Sequence, residues 1–356
     1  MTSWQSVLKK SITTAGELAH HLDVPEEEIA RVAGVYPMRI NPYYMALIRR
    51  HGAPLLRQAV PDIRELHDPD GMTDPLAEED LSPVPNLVHK YPDRALLLVC
   101  SECAMYCRFC TRKRKVGTPG MAISRQGVRA GLDYLRRTPQ VREVLLSGGD
   151  PLLLTDQRLD ELLAELRAIP SIEVIRIGSR VPCTLPMRVT RELADMLARH
   201  HPLYINTHFN HPAELTAEAA EACGRLADAG IPLACQTVLL RGVNDDAEVL
   251  RRLMRGLLAM RVRPYYLFQA DLTRGTAHFR TTIDRGLAIM RQLIGHLSGM
   301  AVPTYALDAP GGGGKIPLTP DYVTGLGEEL HFTTYRDIPC AYPNRLPDDL
   351  RAGRDG

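Results

Sequence analysis

From residue 95 onward the chain alternates short, β-rich apolar runs with amphipathic segments of helical period. The runs cover 95–99, 143–146, 173–177, 203–207, 232–240, 262–268 and 302–307. Between them, segments such as 158–167 and 215–229 repeat apolar residues every three to four positions, and the second is stopped by Gly230 and Pro232. Strand and helix in regular alternation predict a parallel sheet with outer helices, an α/β fold built as a partial (β/α) TIM-like barrel. Seven or eight such units close a barrel and fewer leave it open, a count the pattern does not settle. Residues 1–94 read as a mostly helical N-terminal extension, with 11–22 and 26–32 on helical periodicity and prolines punctuating 75–92. The barrel is expected over 95–315. After Lys315 the patterning fades, so 316–356 is expected to be a C-terminal extension whose polar end, from Pro339, is mobile.

Polar residues gather where the predicted strands end. One run leads into Ser147-Gly148-Gly149-Asp150, the next into Gly178-Ser179-Arg180, then Thr207-His208-Phe209-Asn210-His211, Gln269-Ala270-Asp271 and Asp308-Ala309-Pro310. One such group is ordinary loop chemistry, but five on one rim point to a site with several ligands. Gly311–Lys315 has part of a phosphate-binding GxxxxGK[ST] loop. Ala309 stands where that loop needs Gly, Ile316 where it needs Ser or Thr, and Pro317 and Pro320 interrupt the helix that should follow. The glycines instead allow close backbone approach to a cofactor, and Lys315 is either a surface lysine or an amine placed to condense with an aldehyde.

Composition narrows the class. With 356 residues and 45% hydrophobic content, the chain can bury a substantial core. It has no apolar run of about 18 residues and no signal-peptide pattern, so a cytoplasmic protein with no membrane partner is expected. A net charge of +1 gives no general reason to expect nucleic acid. The local run Arg112-Lys113-Arg114-Lys115 reads as a solvated turn, a localisation signal, or a cationic site mouth that grips a carboxylate. Eight cysteines, four of them scattered at 183, 223, 235 and 340, do not resemble a secreted disulfide framework.

The other four lie within eleven residues, at 100, 103, 107 and 110. Taken together they form CxxCxxxCxxC, which has enough sulfur for a closed zinc site or an all-cysteine electron-transfer cluster. Taken as CxxxCxxC, Cys103, Cys107 and Cys110 would hold three irons of a 4Fe-4S cube and leave the fourth open. The cysteines are consecutive instead of forming two separated knuckles, and they follow the apolar run 95–99, which makes Cys100 the end of a buried strand.

In this setting the chain resembles the lysine 2,3-aminomutase family of radical S-adenosyl-L-methionine (SAM) enzymes. The matching stretches are Tyr91-Pro92-Asp93-Arg94, the cysteine segment 103–114, Leu145–Pro151, Arg176–Arg180, Asn206–Pro212, Val238–Asp245, Arg263–Tyr266 and Asp308–Lys315, with coverage from about residue 4 to about 337. The resemblance implies that Cys103, Cys107 and Cys110 ligate the cluster and that SAM chelates its open iron. Ser147, Gly148, Gly149 and Asp150 would contact the SAM amino group, with His208 and Gln236 lining its pocket. Lys315 would bind pyridoxal 5'-phosphate (PLP), its phosphate held by Lys90, Tyr91 and Arg94. The family usually has Arg at position 90, so that contact becomes a point charge.

The resemblance also implies that Arg112 pairs with the substrate α-carboxylate while Asp271 and Asp308 take the distal ammonium of L-lysine, giving β-lysine. A glutamate-acting relative would not keep two acids there. The alternatives are arginine or a related diamino acid, and, in a different class, a SAM-binding relative that is non-catalytic or acts on a protein-bound lysine. An electron donor such as flavodoxin or ferredoxin is expected. Longer family members bind a structural zinc between subunits; here Asp246 replaces a cysteine of that site and Cys340 stands alone in a short tail. No zinc is therefore expected, and in place of the family's tetramer a different or weaker oligomer, such as a homodimer, is expected.

Overall fold

The computed structural model describes residues 3–118 and 122–345. Nine strands form one sheet in strict chain order. They are β1 (Leu87–Tyr91), β2 (Arg94–Cys100), β3 (Glu143–Gly148), β4 (Val174–Gly178), β5 (Leu203–Thr207), β6 (Leu233–Leu239), β7 (Arg263–Gln269), β8 (Thr304–Ala309) and β9 (Gly314–Pro317). From β2 to β8 every neighbouring pair is parallel, and these strands coincide with the seven apolar runs. Each crossover from β3 to β8 carries a helix, and Arg125–Arg137 covers the turn from β2 to β3. The parallel sheet is capped at both ends by an antiparallel hairpin, β1 on β2 and β9 on β8. Among the described residues β1 and β9 do not pair with each other, so the barrel is open.

Alternation builds the core. Along β6 every second residue from Leu233 to Leu239 is buried, and the helices between strands turn one leucine-rich stripe inward, as in Asp156–Arg167 with Leu159, Leu162, Leu163 and Leu166. N-terminal residues including Leu18, Ile29, Ile40 and Leu55 belong to the same continuous core as the barrel residues Leu97, Leu146 and Ile205. The helix expected over 11–22 is only Ala15–Ala19, because Thr14 stops it with a capping box closed by Glu17. Glu26–Ala33 and Ala217–Asp228 form where helical period predicts them.

Two readings need correction. Residues 87–91, inside the stretch read as helical, form strand β1. The loss of pattern after Lys315 does not mean loss of structure: β9 is followed by a three-stranded antiparallel sheet of β10 (Val323–Leu326), β11 (Glu329–Thr333) and β12 (Pro339–Pro343). Of the tail expected to be mobile, residues 346–356 lie outside the described residues.

Candidate active site

A cavity of about 780 Å³ runs along the inside of the open barrel, from Arg94 and Glu143 at the N-terminal starts of β2 and β3 to the loops after the C-terminal ends of the parallel strands, at the larger end of the range for cofactor and small-molecule sites. All sixteen residues expected to bind something line it: Lys90, Tyr91, Arg94, Cys103, Cys107, Cys110, Arg112, Ser147 to Asp150, His208, Gln236, Asp271, Asp308 and Lys315. Ser147 to Asp150, His208, Asp271, Asp308 and the cysteine loop after β2 lie on the rim a parallel α/β sheet favours, whereas Tyr91 and Arg94 pair at the opposite end of the sheet, where β1 meets the start of β2.

The cysteine loop is fixed by its neighbour. Gly149 N–H donates to Cys100 O at 2.5 Å and Asp150 N–H to Glu102 O at 2.8 Å. A Cβ on Gly148 would come within 2.3 Å of Cys100 O, and one on Gly149 within 2.4 Å of Glu102 O, so the glycine pair is required by this contact between the end of β3 and the start of the loop. Asp150 is equally committed. Its two carboxylate oxygens accept from Ser179 Oγ and from the N–H groups of Leu152, Arg180 and Val181, so its side chain organises the ends of β3 and β4.

Three thiols face the cavity from one loop. Burial pushes Cys103 well above the ordinary thiol range, with Asp150 and the other two cysteines adding to it, and burial with Cys107 pushes Cys110 up to about 11. Burial raises Cys183, Cys223 and Cys235 in the same way, so what fits a metal group is the convergence of three thiols from one loop on one cavity. Among the described residues no three His, Cys, Asp or Glu side chains converge on a single-ion position. A cube does not need that, since each thiolate binds a different iron. Arg180, buried and paired with Glu214 at 2.7 Å, also donates from Nη1 to Cys107 Sγ at 2.9 Å. His208 sits beside Phe109 and donates from Nε2 to Asn210 Oδ1, which also accepts from Val238 N–H, and burial with Arg180 nearby lowers it to about 3, so its ring is neutral.

Opposite the cysteines, the two edges of the open barrel meet. Lys315 N–H on β9 donates to Tyr91 Oη on β1 at 3.1 Å, and Asp308 lies 3.3 Å from Lys315 Nζ and 3.8 Å from Lys90 Nζ. Arg94 stacks on the Tyr91 ring with its guanidinium carbon 3.9 Å from the centroid. Asp271 sits near these groups, pushed up to about 7 by burial and by Asp308. The basic run is not a solvated turn: Arg112 pairs with Glu78, Lys113 with Glu65, Arg114 with Asp74 and Glu79, and Lys115 with Glu79. Glu78 and Arg180, with Glu143 and Arg176, are charged lining residues that sequence reasoning did not assign a role. Arg180 stood in a quoted motif, but nothing in the chain around Glu78 marks it.

Comparison with known proteins matches these elements to a family. Residues 97–254 match the radical SAM superfamily and 290–344 the lysine-2,3-aminomutase C-terminal model. The chain is 50% identical to the L-lysine 2,3-aminomutase of Fusobacterium nucleatum over 94% of its own length and 80% of the relative's. This chain belongs to the lysine 2,3-aminomutase family of radical SAM enzymes. The L-lysine 2,3-aminomutase of Acetoanaerobium sticklandii is 49% identical over 99% of this chain and 88% of the relative. A glutamate 2,3-aminomutase of Clostridioides difficile is 43% identical over 92% of this chain and 78% of the relative. The family member described here is thus a radical SAM 2,3-aminomutase, an isomerase that employs a 4Fe-4S cluster and SAM. No helix among the described residues is long and apolar enough to cross a membrane.

Proposed function

We propose that this aminomutase acts on L-lysine with PLP carried by Lys315. The carrying observation is that one cavity presents a guanidinium, Arg112, beside the cysteine loop and a pair of carboxylates, Asp271 and Asp308, beside Lys315. An α-carboxylate at one end and a distal ammonium at the other match that division of charge. A second carboxylate in place of the ammonium would meet two acids, one of them already resisting ionisation at pH 7.

The proposed cluster ligands are Cys103, Cys107 and Cys110, with the Ser147 to Gly149 segment, His208 and Gln236 around SAM; reduction of SAM there supplies a radical that abstracts hydrogen. PLP, when bound, supplies an imine through which the amino group migrates. Lys90, Tyr91 and Arg94 provide two cations and a hydroxyl for its phosphate. Asp308 is the shared partner of Lys90 and Lys315, so engagement of both lysines elsewhere frees it for a substrate ammonium. His208, being neutral, places no extra charge beside the cationic sulfonium of SAM. The half-buried side chains of Phe268, Val238 and Tyr266 line the cavity with apolar surface.

The test is an anaerobic assay of reconstituted, reduced protein with SAM, PLP and L-lysine, L-arginine or L-glutamate in parallel, following β-amino acid and 5'-deoxyadenosine by mass spectrometry. β-Lysine as the preferred product is expected. β-Arginine or β-glutamate as the preferred product would move the substrate assignment, and aminomutation without added or bound PLP would overturn the role of Lys315.

A further inference from the structure

Residues 62–82 run across the mouth of the barrel as a strap and are pinned to each loop that carries a proposed recognition group. Glu65 pairs with Arg108 at 2.5 Å and Lys113 at 2.6 Å, on the cysteine loop. Asp68 accepts from the N–H groups of Gly275, Thr276 and Ala277 and pairs with Arg280 at 2.9 Å, which holds the loop after Asp271. Met72 exchanges backbone hydrogen bonds with Leu272 and Arg274, and Pro75 O accepts from Gly311 N–H at 3.0 Å, at the start of the loop leading to Lys315. Of the acids on this strap only Glu78 lines the central cavity.

Glu78 is 5% exposed and grips Arg112 by a fork, Nε to Oε2 at 3.0 Å and Nη2 to Oε1 at 2.5 Å. Burial opposes its ionisation, but the Arg112 charge outweighs this and holds Glu78 below the usual carboxylate range. Arg112 Nη1 donates to Ser147 Oγ at 3.2 Å. Guanidinium has five N–H groups, so three are committed, and one remains on each of Nη1 and Nη2. A guanidinium offers carboxylates two edges, Nε–Nη2 and Nη1–Nη2, and Glu78 occupies the first, so the Nη1–Nη2 edge is the one left for a further carboxylate.

We infer that Glu78 is a positioning residue for the α-carboxylate of the amino acid substrate: it locks the plane of Arg112 and leaves only the Nη1 and Nη2 N–H groups to receive it. This rests on the proposed role of Arg112 but not on which amino acid is the substrate. Two consequences follow from one charge. The fork removes the freedom of a long side chain, so the substrate is held in a single orientation. The Glu78 charge also offsets that of Arg112, so the substrate carboxylate is bound strictly but not tightly.

The test compares wild type with Glu78→Gln, which keeps the volume but replaces one acceptor by a donor. The expected result is kcat for β-amino acid formation at least tenfold lower, KM unchanged or lower, and more 5'-deoxyadenosine released per β-amino acid formed. With the substrate amide, which has no carboxylate for Arg112 to hold, wild type and Glu78→Gln should release 5'-deoxyadenosine at equal rates. Arg112→Lys removes the fork from the other side, and adding Glu78→Gln to it should cost nothing further. Equal losses with amino acid and amide, or additive losses in the double variant, would show that Glu78 only supports the fold and would overturn the proposal. Full wild-type kinetics in Glu78→Gln would do the same. If wild type prefers an amino acid other than lysine, the lysine reading fails, and the Glu78 comparison is made with that amino acid and its amide.

Discussion

Asp271→Asn should make the cofactor-free protein more stable, and by more at pH 8 than at pH 5. In the folded chain Asp271 is pushed from 3.8 up to about 7 by burial and by its neighbour Asp308, so its ionised form is disfavoured by folding. A folded state that holds a proton the unfolded state has released loses stability as pH rises from about 4 to about 7, after which the penalty is constant. At ~1.4 kcal/mol for each tenfold, the full penalty is about 4 kcal/mol above pH 7 and about 2 kcal/mol at pH 5. Asp271 keeps some contact with solvent, so these are upper bounds and the measured gain should be a fraction of them. Urea unfolding of wild type and variant, cofactor-free and in parallel at the two pH values, reads the difference directly. The same substitution should remove a proton release that accompanies diammonium substrate binding near pH 7, visible by calorimetry in two buffers of different ionisation heat. A variant that is less stable than wild type at pH 8, or a gain that does not grow from pH 5 to pH 8, would refute the view that an acid is held there at a cost to the fold.

Two other substitutions test the remaining halves of the cavity. Lys315→Ala should abolish the visible absorbance of bound PLP and amino migration while leaving the iron content and the ultraviolet-visible spectrum of the cluster unchanged; near-normal turnover would exclude the assignment. Gly149→Ala should place a methyl 2.4 Å from Glu102 O, where only backbone can move, and cost on the order of 2–3 kcal/mol in unfolding experiments; a variant as stable as wild type with full cluster loading would show that the loop yields more easily than this geometry implies.

The parallel strands were legible because each is buried on both faces or on one, and so leaves a compact apolar run in the chain. The hairpin partners at the two ends were not. β1 begins with two buried residues, Leu87 and Val88, and continues with His89, Lys90 and Tyr91, which serve the cavity instead of the core. β10 to β12 expose residues such as Leu326 and Tyr342 on both sides and so lack the alternation that marks a half-buried strand. The cysteines were legible from local spacing, whereas the serine and glycines at the end of β3 and the lysine after the glycine loop took their expected roles from the family resemblance. Glu78 was not, because its meaning depends on a partner 34 residues away, reached from a strap whose one short 3-10 turn, Ile63–Leu66, leaves no periodic signal at Glu78. The paired glycines 148 and 149 were noticed for their nearness to a ligand, yet their demand for small size comes from the backbone beside them.

The unclosed sheet has a consequence for how the protein is made. Tyr91 and Lys315 touch although 224 residues separate them, one on the first strand of the sheet and one on the last. A growing chain therefore presents the cysteine loop and the ends of β3 to β6 long before the lysine side of the cavity leaves the ribosome. Order of synthesis thus divides the site in two: the half proposed to generate a radical is encoded first, and the half proposed to receive it is completed only by the final strand.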